Sequence, residues 1–365
     1  LAERLVRCAS VPVIVTPNAG LPRSEGKRTV YDVGPEEFAA SMQAILDLGV
    51  SAVGGCCGTT PEHIRLLAKR CAGKKAPQIA PREETVVCSY ASAVTIGRDP
   101  VIIGERINPT GKARFKQARR SRDMEYILRE GITQQENGAA ILDVNVGLPE
   151  IDEPSVMEET VRELQAVTEL PLQIDTSDYK AMERALRIYN GKALINSVNG
   201  KQEVMDAVFP LVRHYGGVVV ALTLDENGIP PTAEGRLAIA RRICAEAARY
   251  GIGKKDILID ALCMTVSSEP EGALVTLETV RRVRKELGVK TILGVSNISF
   301  GLPAREQINA AFFVMALQSG LNAAIVNPNS AAMMPAYYSY PALAPLHGHC
   351  ADYIRALGAG LTGVG

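Results

Sequence analysis

Between Pro100 and Asn327 one pattern recurs eight times: a short aliphatic run, one or two polar side chains, then a segment of helical spacing. The runs end at Glu105, Asp143, Asp175, Asn196, Thr223, Asp260, Asn297 and Asn327. The run before Asn297, for instance, reads as a strand over Thr291–Val295. The amphipathic segments between runs cover roughly Ser121–Asn137, Glu153–Glu169, Tyr179–Ile188, Gln202–Tyr215, Ala233–Tyr250, Ala273–Leu287 and Ala304–Ser319. Several stop at Asn-Gly or Gly-Gly pairs, as helices do before a new strand. Aliphatic strands that alternate with helices need a parallel sheet buried on both faces. Eight such units over about 230–250 residues match the count and size of a (β/α)₈ TIM barrel, so the fold class is α/β. A doubly wound open sheet is the alternative. It is disfavoured because no G-x-G-x-x-G fingerprint follows any strand.

The first 72 residues hold only two strand–helix units. Leu1–Ala9 reads as the tail of a helix and Val11–Thr16 as a strand. Gly34–Leu48 carries Phe38, Met42, Ile45 and Leu46 on one helical face. Ala52–Gly54 is a second strand, and Thr60-Pro61 has the form of an N-cap and first helical residue. Two units cannot close a barrel, so residues 1–72 are expected to be the last two units of a second, truncated barrel. The expected organisation is then a linker over 73–98, the complete barrel over 99–345 and a tail over 346–365.

Composition narrows the function. The chain has 40 basic and 40 acidic side chains and no block of Lys/Arg with interleaved aromatics, which argues against a nucleic-acid surface. The longest apolar stretch, Ile308–Val326, contains Asn309, Gln318 and Asn322 and so reads as a buried helix and strand rather than a membrane span. Eight unevenly spaced cysteines without a secretory signal are not a disulfide framework, and a cytoplasmic protein is expected.

In a (β/α)₈ barrel the carboxyl ends of the strands surround one pocket. Here they and their loops supply Glu105, Asn108, Asp143, Asn145, Asp175, Asn196, Asp260 and Asn297, with no histidine and no lysine. That inventory excludes Ser/His/Asp chemistry and disfavours a Schiff-base lysine. Alternating carboxylates and amides suit a flat heterocycle whose edge presents donors beside acceptors. Some of these side chains, Asp143 and Ser197 among them, serve equally well as caps for the following helices.

The segments IGERINPTG (103–111), LDVNVG (142–147), QIDTSD (173–178), LINSVNG (194–200), LIDALC (258–263) and LGVSNISFGLPAR (293–305) resemble the pterin-binding domain of the cobalamin-dependent methionine synthases. The smaller corrinoid/folate methyltransferases share that domain. PNAGLP (17–22) and GGCCGTTPEHI (54–64) resemble the end of the same family's homocysteine-binding barrel. The resemblance implies a methyltransferase acting on 5-methyltetrahydrofolate. Asp175, Asn196 and Asp260 match residues that hydrogen-bond the pterin ring, and Asn297 matches the asparagine near the methylated N5. Glu105, Asn108, Asp143 and Asn145 match other residues of that pocket, and Arg305 is expected toward the aminobenzoate-glutamate end. It implies zinc on Cys56 and Cys57 with a third cysteine that this sequence does not contain, and homocysteine as a second substrate. Cobalamin would come on another module, since no D-x-H-x-x-G signature occurs here. Dihydropteroate synthase chemistry and a folate-binding fragment without turnover are the competing readings.

Overall fold

A computed structural model of the chain describes residues 1–79, 81–109, 114, 117, 123–149, 151–344 and 349–358, and it divides into two units, Leu1–Glu83 and Glu84–Gly365. In the first unit, β1 (Ile14–Val15) pairs in parallel with β4 (Ala52–Val53). An antiparallel hairpin of β2 (Arg23–Glu25) and β3 (Arg28–Val30) lies between them in sequence. This hairpin was not expected, because its residues are nearly all polar and show no alternation. Helices Pro35–Asp47 and Pro61–Cys71 follow β3 and β4, and Phe38, Met42 and Leu67 meet in a small core with Ala19. Thr60 caps the second helix as expected: its amide donates to His63 Nδ1 at 3.2 Å. The other ring nitrogen lies 3.0 Å from the Val33 carbonyl, and the buried ring stands edge-on to Phe38. His63 is thus consumed by the fold.

The second unit opens with a feature that the expected linker concealed. β5 (Thr85–Cys88) and β6 (Ala93–Ile96) form an antiparallel hairpin. Val87 and Ile96 are fully buried in one cluster with the inward aliphatics of the strands that follow. Four-residue runs flanked by charged residues gave too little periodicity to mark them as strands.

Those following strands are β7 (Val101–Ile107), β8 (Ile141–Val144), β9 (Leu172–Asp175), β10 (Leu194–Asn199), β11 (Val218–Leu222), β12 (Ile257–Asp260), β13 (Lys290–Gly294) and β14 (Ala323–Val326). All pair in parallel, and β14 returns to β7, so the sheet closes into an eight-stranded barrel. Side chains alternate along a strand, and this decides what fills the interior. Ile103, Ile141, Leu194, Val218, Leu258 and Ile292 point inward as an aliphatic floor. Two residues on, the same inner face carries Glu105, Asp143, Asn196, Val220, Asp260 and Gly294, so the lining becomes polar toward the strand ends. The intervening residues, among them Leu142, Ile174, Ile195, Val219 and Ile259, face outward into a core shared with the helices.

The helices lie close to their expected positions: Glu153–Val167, Tyr179–Ile188, Gln202–Tyr215, Ala233–Arg249 and Arg305–Ser319. The first barrel helix is described from Met124 to Glu136, and its expected start at Ser121 falls outside the described residues. Helix Gly272–Arg282 runs on through a wider turn over Val283–Leu287. After β14 come Met333–Leu343 and His349–Gly358, so the expected tail over 346–365 includes a helix. No helix among the described residues is long and apolar enough to cross a membrane.

Candidate active site

At the carboxyl ends of the strands lies a cavity of about 530 Å³. Its lining includes Glu105, Asn108, Asp143, Asp175, Asn196, Asp260, Asn297 and Arg305, so the barrel brings together eight of the nine expected pocket residues. The ninth, Asn145, stands one layer behind: its Nδ2 donates to Asp175 Oδ2 at 3.0 Å, and its Oδ1 accepts the Gly147 amide at 3.0 Å. A larger apolar groove of about 900 Å³ lies among the outer helices, beside Leu274, Met315 and Leu343. It carries none of the strand-end residues. None of the histidines with described side chains lines the barrel cavity.

Several of these polar residues are held by their neighbours. Asp175 and Asp260 are the last residues of β9 and β12, where the backbone leaves the sheet. Asp143 accepts from Gln173 Nε2 at 2.6 Å, a buried contact below the cavity. Asp260 accepts the Leu262 amide at 2.7 Å, while Thr223 Oγ1 donates to the Asp260 carbonyl at 3.0 Å. Asn196 stands beside a register shift in β10, between it and Val198. Glu105 was expected at the end of its strand, but β7 continues to Ile107 with a register shift after Gly104. Gln134 satisfies the amide this frees, accepting from Arg106 N at 2.8 Å. Glu105 in turn accepts from Ser296 Oγ at 3.1 Å.

Asn297 lies farther from its strand than expected. β13 stops at Gly294, and Val295–Ser299 form a single 3₁₀ turn. Val295 and Ile298 are buried, which roots the turn, whereas Asn297 is exposed on the cavity side. A Cβ at Gly294 would stand 3.1 Å from Asn297 Nδ2, so glycine keeps that approach open. Among the described residues the Asn297 amide has no side-chain hydrogen bond, leaving donor and acceptor for a ligand. Arg305 lines the cavity as expected and also holds the loop beside it. Its Nη2 donates to the Ser296 carbonyl at 2.8 Å, its Nε to Ser299 Oγ at 3.0 Å, and its guanidinium stacks on Phe300 at 4.5 Å. It braces the turn that presents Asn297.

Burial dominates the electrostatics. Desolvation raises the Asp175 carboxyl to about 6, opposed by the Asn145 hydrogen bond and reinforced by the Glu153 charge. Asp260 rises further, to about 7, again through burial, against the Leu262 amide and the Arg236 charge. Two carboxyls raised toward neutral pH at one pocket make this cavity the candidate site. Sequence reasoning missed Gln173, although it stands two residues before Asp175 on the same inner face. It also missed Arg236, whose signal is a lone arginine in line with the buried Ala240, Ile243 and Ala247.

In the first unit, Cys56 Sγ and Cys57 Sγ stand 3.8 Å apart and both are exposed. The Asn18 side chain fixes the loop by accepting the Cys57 amide at 3.1 Å. Two thiolates on a tetrahedral zinc, each at ~2.3 Å, stand about 3.8 Å apart, so the pair fits one edge of such a site. Among the described residues no group of three or more His, Cys, Asp or Glu could hold a metal ion. The pair therefore offers two of the ligands, and no third is grouped with it among the described residues.

A closed barrel with a polar strand-end pocket is the arrangement of a ligand-binding α/β barrel, and comparison with known proteins makes the family specific. Residues 104–327 match the family described as pterin binding enzyme, and the chain belongs to that family. Residues 1–71 match the homocysteine S-methyltransferase family. The methionine synthase of Mycobacterium tuberculosis is 35% identical over 341 residues, covering 89% of this chain and 29% of that protein. The methionine synthase of Mycobacterium leprae is 34% identical, with the same coverage of each. The chain thus spans less than a third of the length of these relatives. A dihydropteroate synthase from Xanthomonas albilineans, solved with 7,8-dihydropteroate, shares the fold with a TM-score of 0.53 at 20% identity, over 71% of this chain and 98% of its own.

Proposed function

We propose that the barrel binds 5-methyltetrahydrofolate and releases its N5-methyl group to a cob(I)alamin corrinoid carried by another module, as the folate half of methionine synthesis from homocysteine. The observation that carries this reading is the ring of Asp175, Asn196 and Asp260 with the unengaged Asn297 amide beside it. Ionised Asp175 and Asp260 would accept from the amino and ring N–H groups of the pterin, and Asn196 would complete the edge as donor and acceptor. A tertiary amine leaves poorly, so N5 must gain a proton as the methyl departs. An amide can turn its oxygen toward an N5–H⁺ that forms only along the reaction, and such an interaction lowers the barrier more than it strengthens ground-state binding. The braced 3₁₀ turn gives that amide a fixed position. The corrinoid supplies the nucleophile for the methyl group; this chain's part is to hold and polarise the folate.

The dithiol site points to the other half-reaction, in which zinc would hold homocysteine as its thiolate. With no third ligand grouped with it among the described residues, no step is assigned to it here. Titration of the chain with 5-methyltetrahydrofolate, with and without cob(I)alamin, tests the proposal. Folate binding, with methyl transfer only once the corrinoid is added, supports it. Condensation of a pterin pyrophosphate with aminobenzoate would replace it by dihydropteroate synthase chemistry. Folate binding without transfer to cob(I)alamin would leave a binding protein.

A further inference from the structure

Arg236 is the largest fully buried side chain among the described residues, 1% exposed, on helix Ala233–Arg249 outside the barrel wall. A guanidinium there needs a strong structural or functional reason, because a buried charge is costly unless every N–H finds a partner. Its contacts converge on one place. Nη1 donates to the carbonyls of Ala261 (2.8 Å) and Leu262 (2.7 Å), the two residues after Asp260, and reaches Thr276 Oγ1 at 3.2 Å. Thr276 Oγ1 also donates to the Leu262 carbonyl at 2.9 Å. Nε donates to the Pro230 carbonyl at 3.0 Å, so one side chain ties together the loops after β11 and β12.

The backbone it grips is unusual. Leu262 adopts φ +58°, a left-handed conformation that a branched residue enters only under constraint. That turn aims the Leu262 amide back at Asp260 Oδ1, 2.7 Å away. The carboxylate's orientation therefore depends on a turn whose two carbonyls are pinned from behind by a cation.

We propose that Arg236 is a positioning residue for the pterin-binding site: it locks the Ala261–Leu262 turn and thereby fixes the Asp260 carboxylate toward the cavity. This rests on the folate reading of the pocket. Lysine cannot replace it, since a single ammonium cannot span Pro230, Ala261 and Leu262 at once. The other ionisable groups facing Arg236 are Glu269 and Cys263. The cavity that Asp260 lines also holds Glu105, Asp143 and Asp175, with Arg106 and Arg305. The neighbouring β11 and the part of β13 beside Asp260 present no charged side chain to it. The Arg236 charge acts on this carboxylate from behind and holds its pKa down against burial.

The test uses the full chain as wild type, Arg236→Lys and Arg236→Gln, with two readouts. The first is ¹³C NMR titration of the aspartate carboxyls without ligand, with the Asp260 signal assigned by its loss in Asp260→Asn. The second is 5-methyltetrahydrofolate affinity across pH 5.5–8.5. We expect the Asp260 midpoint to move upward in Arg236→Gln and less in Arg236→Lys. Folate affinity near neutral pH should fall roughly tenfold for each unit of that movement, with the loss largest at low pH. Circular dichroism identifies a variant that fails to fold, and in that case Thr276→Val, which removes one strut of the same turn, gives the reading. An unmoved Asp260 midpoint and unchanged pH dependence in a folded variant would overturn the inference. Failure of the wild type to bind folate, with the midpoint still moving, would overturn the folate reading and leave the positioning role standing.

Discussion

Asp260→Asn should make the ligand-free protein more stable while destroying its binding site. Burial raises the Asp260 carboxyl from 3.8 to about 7, a little over three units. Each unit is ~1.4 kcal/mol between protonation states, so ionising Asp260 in the folded chain costs up to about 4 kcal/mol relative to the unfolded chain. The sign follows from proton counts. Below about pH 4 the group is protonated in both states and adds no penalty. Between pH 4 and 7 the unfolded chain gives up the proton first, so stability falls as pH rises, and above 7 the loss is complete. Asparagine is neutral and nearly isosteric, and its oxygen keeps the 2.7 Å bond from the Leu262 amide. Allowing for relaxation, we expect about 2–4 kcal/mol of stabilisation near pH 8, roughly 4–10 °C in Tm for a unit of this size, and little difference near pH 4. Far-UV circular dichroism is the assay, since the chain has no tryptophan. A variant no more stable than wild type at pH 8, or a gain independent of pH, would refute the reasoning.

Other outcomes follow from the same geometry. Asn297→Ala should lower methyl transfer by far more than it weakens folate binding, and equal losses in kcat and affinity would contradict the role given to the amide. Folate affinity should decline as pH falls through 7 and then 6, as Asp260 and Asp175 gain protons; a calorimetric titration series would show a flat profile if these carboxylates accept nothing from the ligand. Ile96→Ala, beneath the barrel, should cost about 2–5 kcal/mol and leave folate KM unchanged. Zinc on the Cys56–Cys57 pair should be stripped by a chelator without altering folate affinity, and tight zinc retained after chelation would reveal a third ligand.

The barrel was legible in the sequence because its signal is redundant: eight runs each repeat the same period and the same polar ending. Asp175 and Asp260 could be placed because they end their strands, where one residue's identity fixes both depth and direction. Asn297 reads from the sequence as a strand end and Arg305 as part of the loop after it, but the path of the chain past Gly294 depends on contacts distant in sequence. The turn rooted by Val295 and Ile298 carried Asn297 beyond its strand, and the Ser296 carbonyl and Phe300 ring captured Arg305. The β5–β6 hairpin and Arg236 escaped for the same reason: their partners, Ile103 and the Ala261–Leu262 turn, become neighbours only once the barrel has closed.

That hairpin has a bearing on traffic. With Val87 and Ile96 packed under the aliphatic floor, the barrel is a well with a stopped base, and the cavity lies at its other end. Under the proposed reaction, folate must arrive before its methyl acceptor, because a macrocycle seated over the mouth would bar entry. The demethylated folate would leave only after that acceptor lifts away. A visiting corrinoid module would then gate product release as well as collect the methyl group, which ties turnover to how fast the module can come and go.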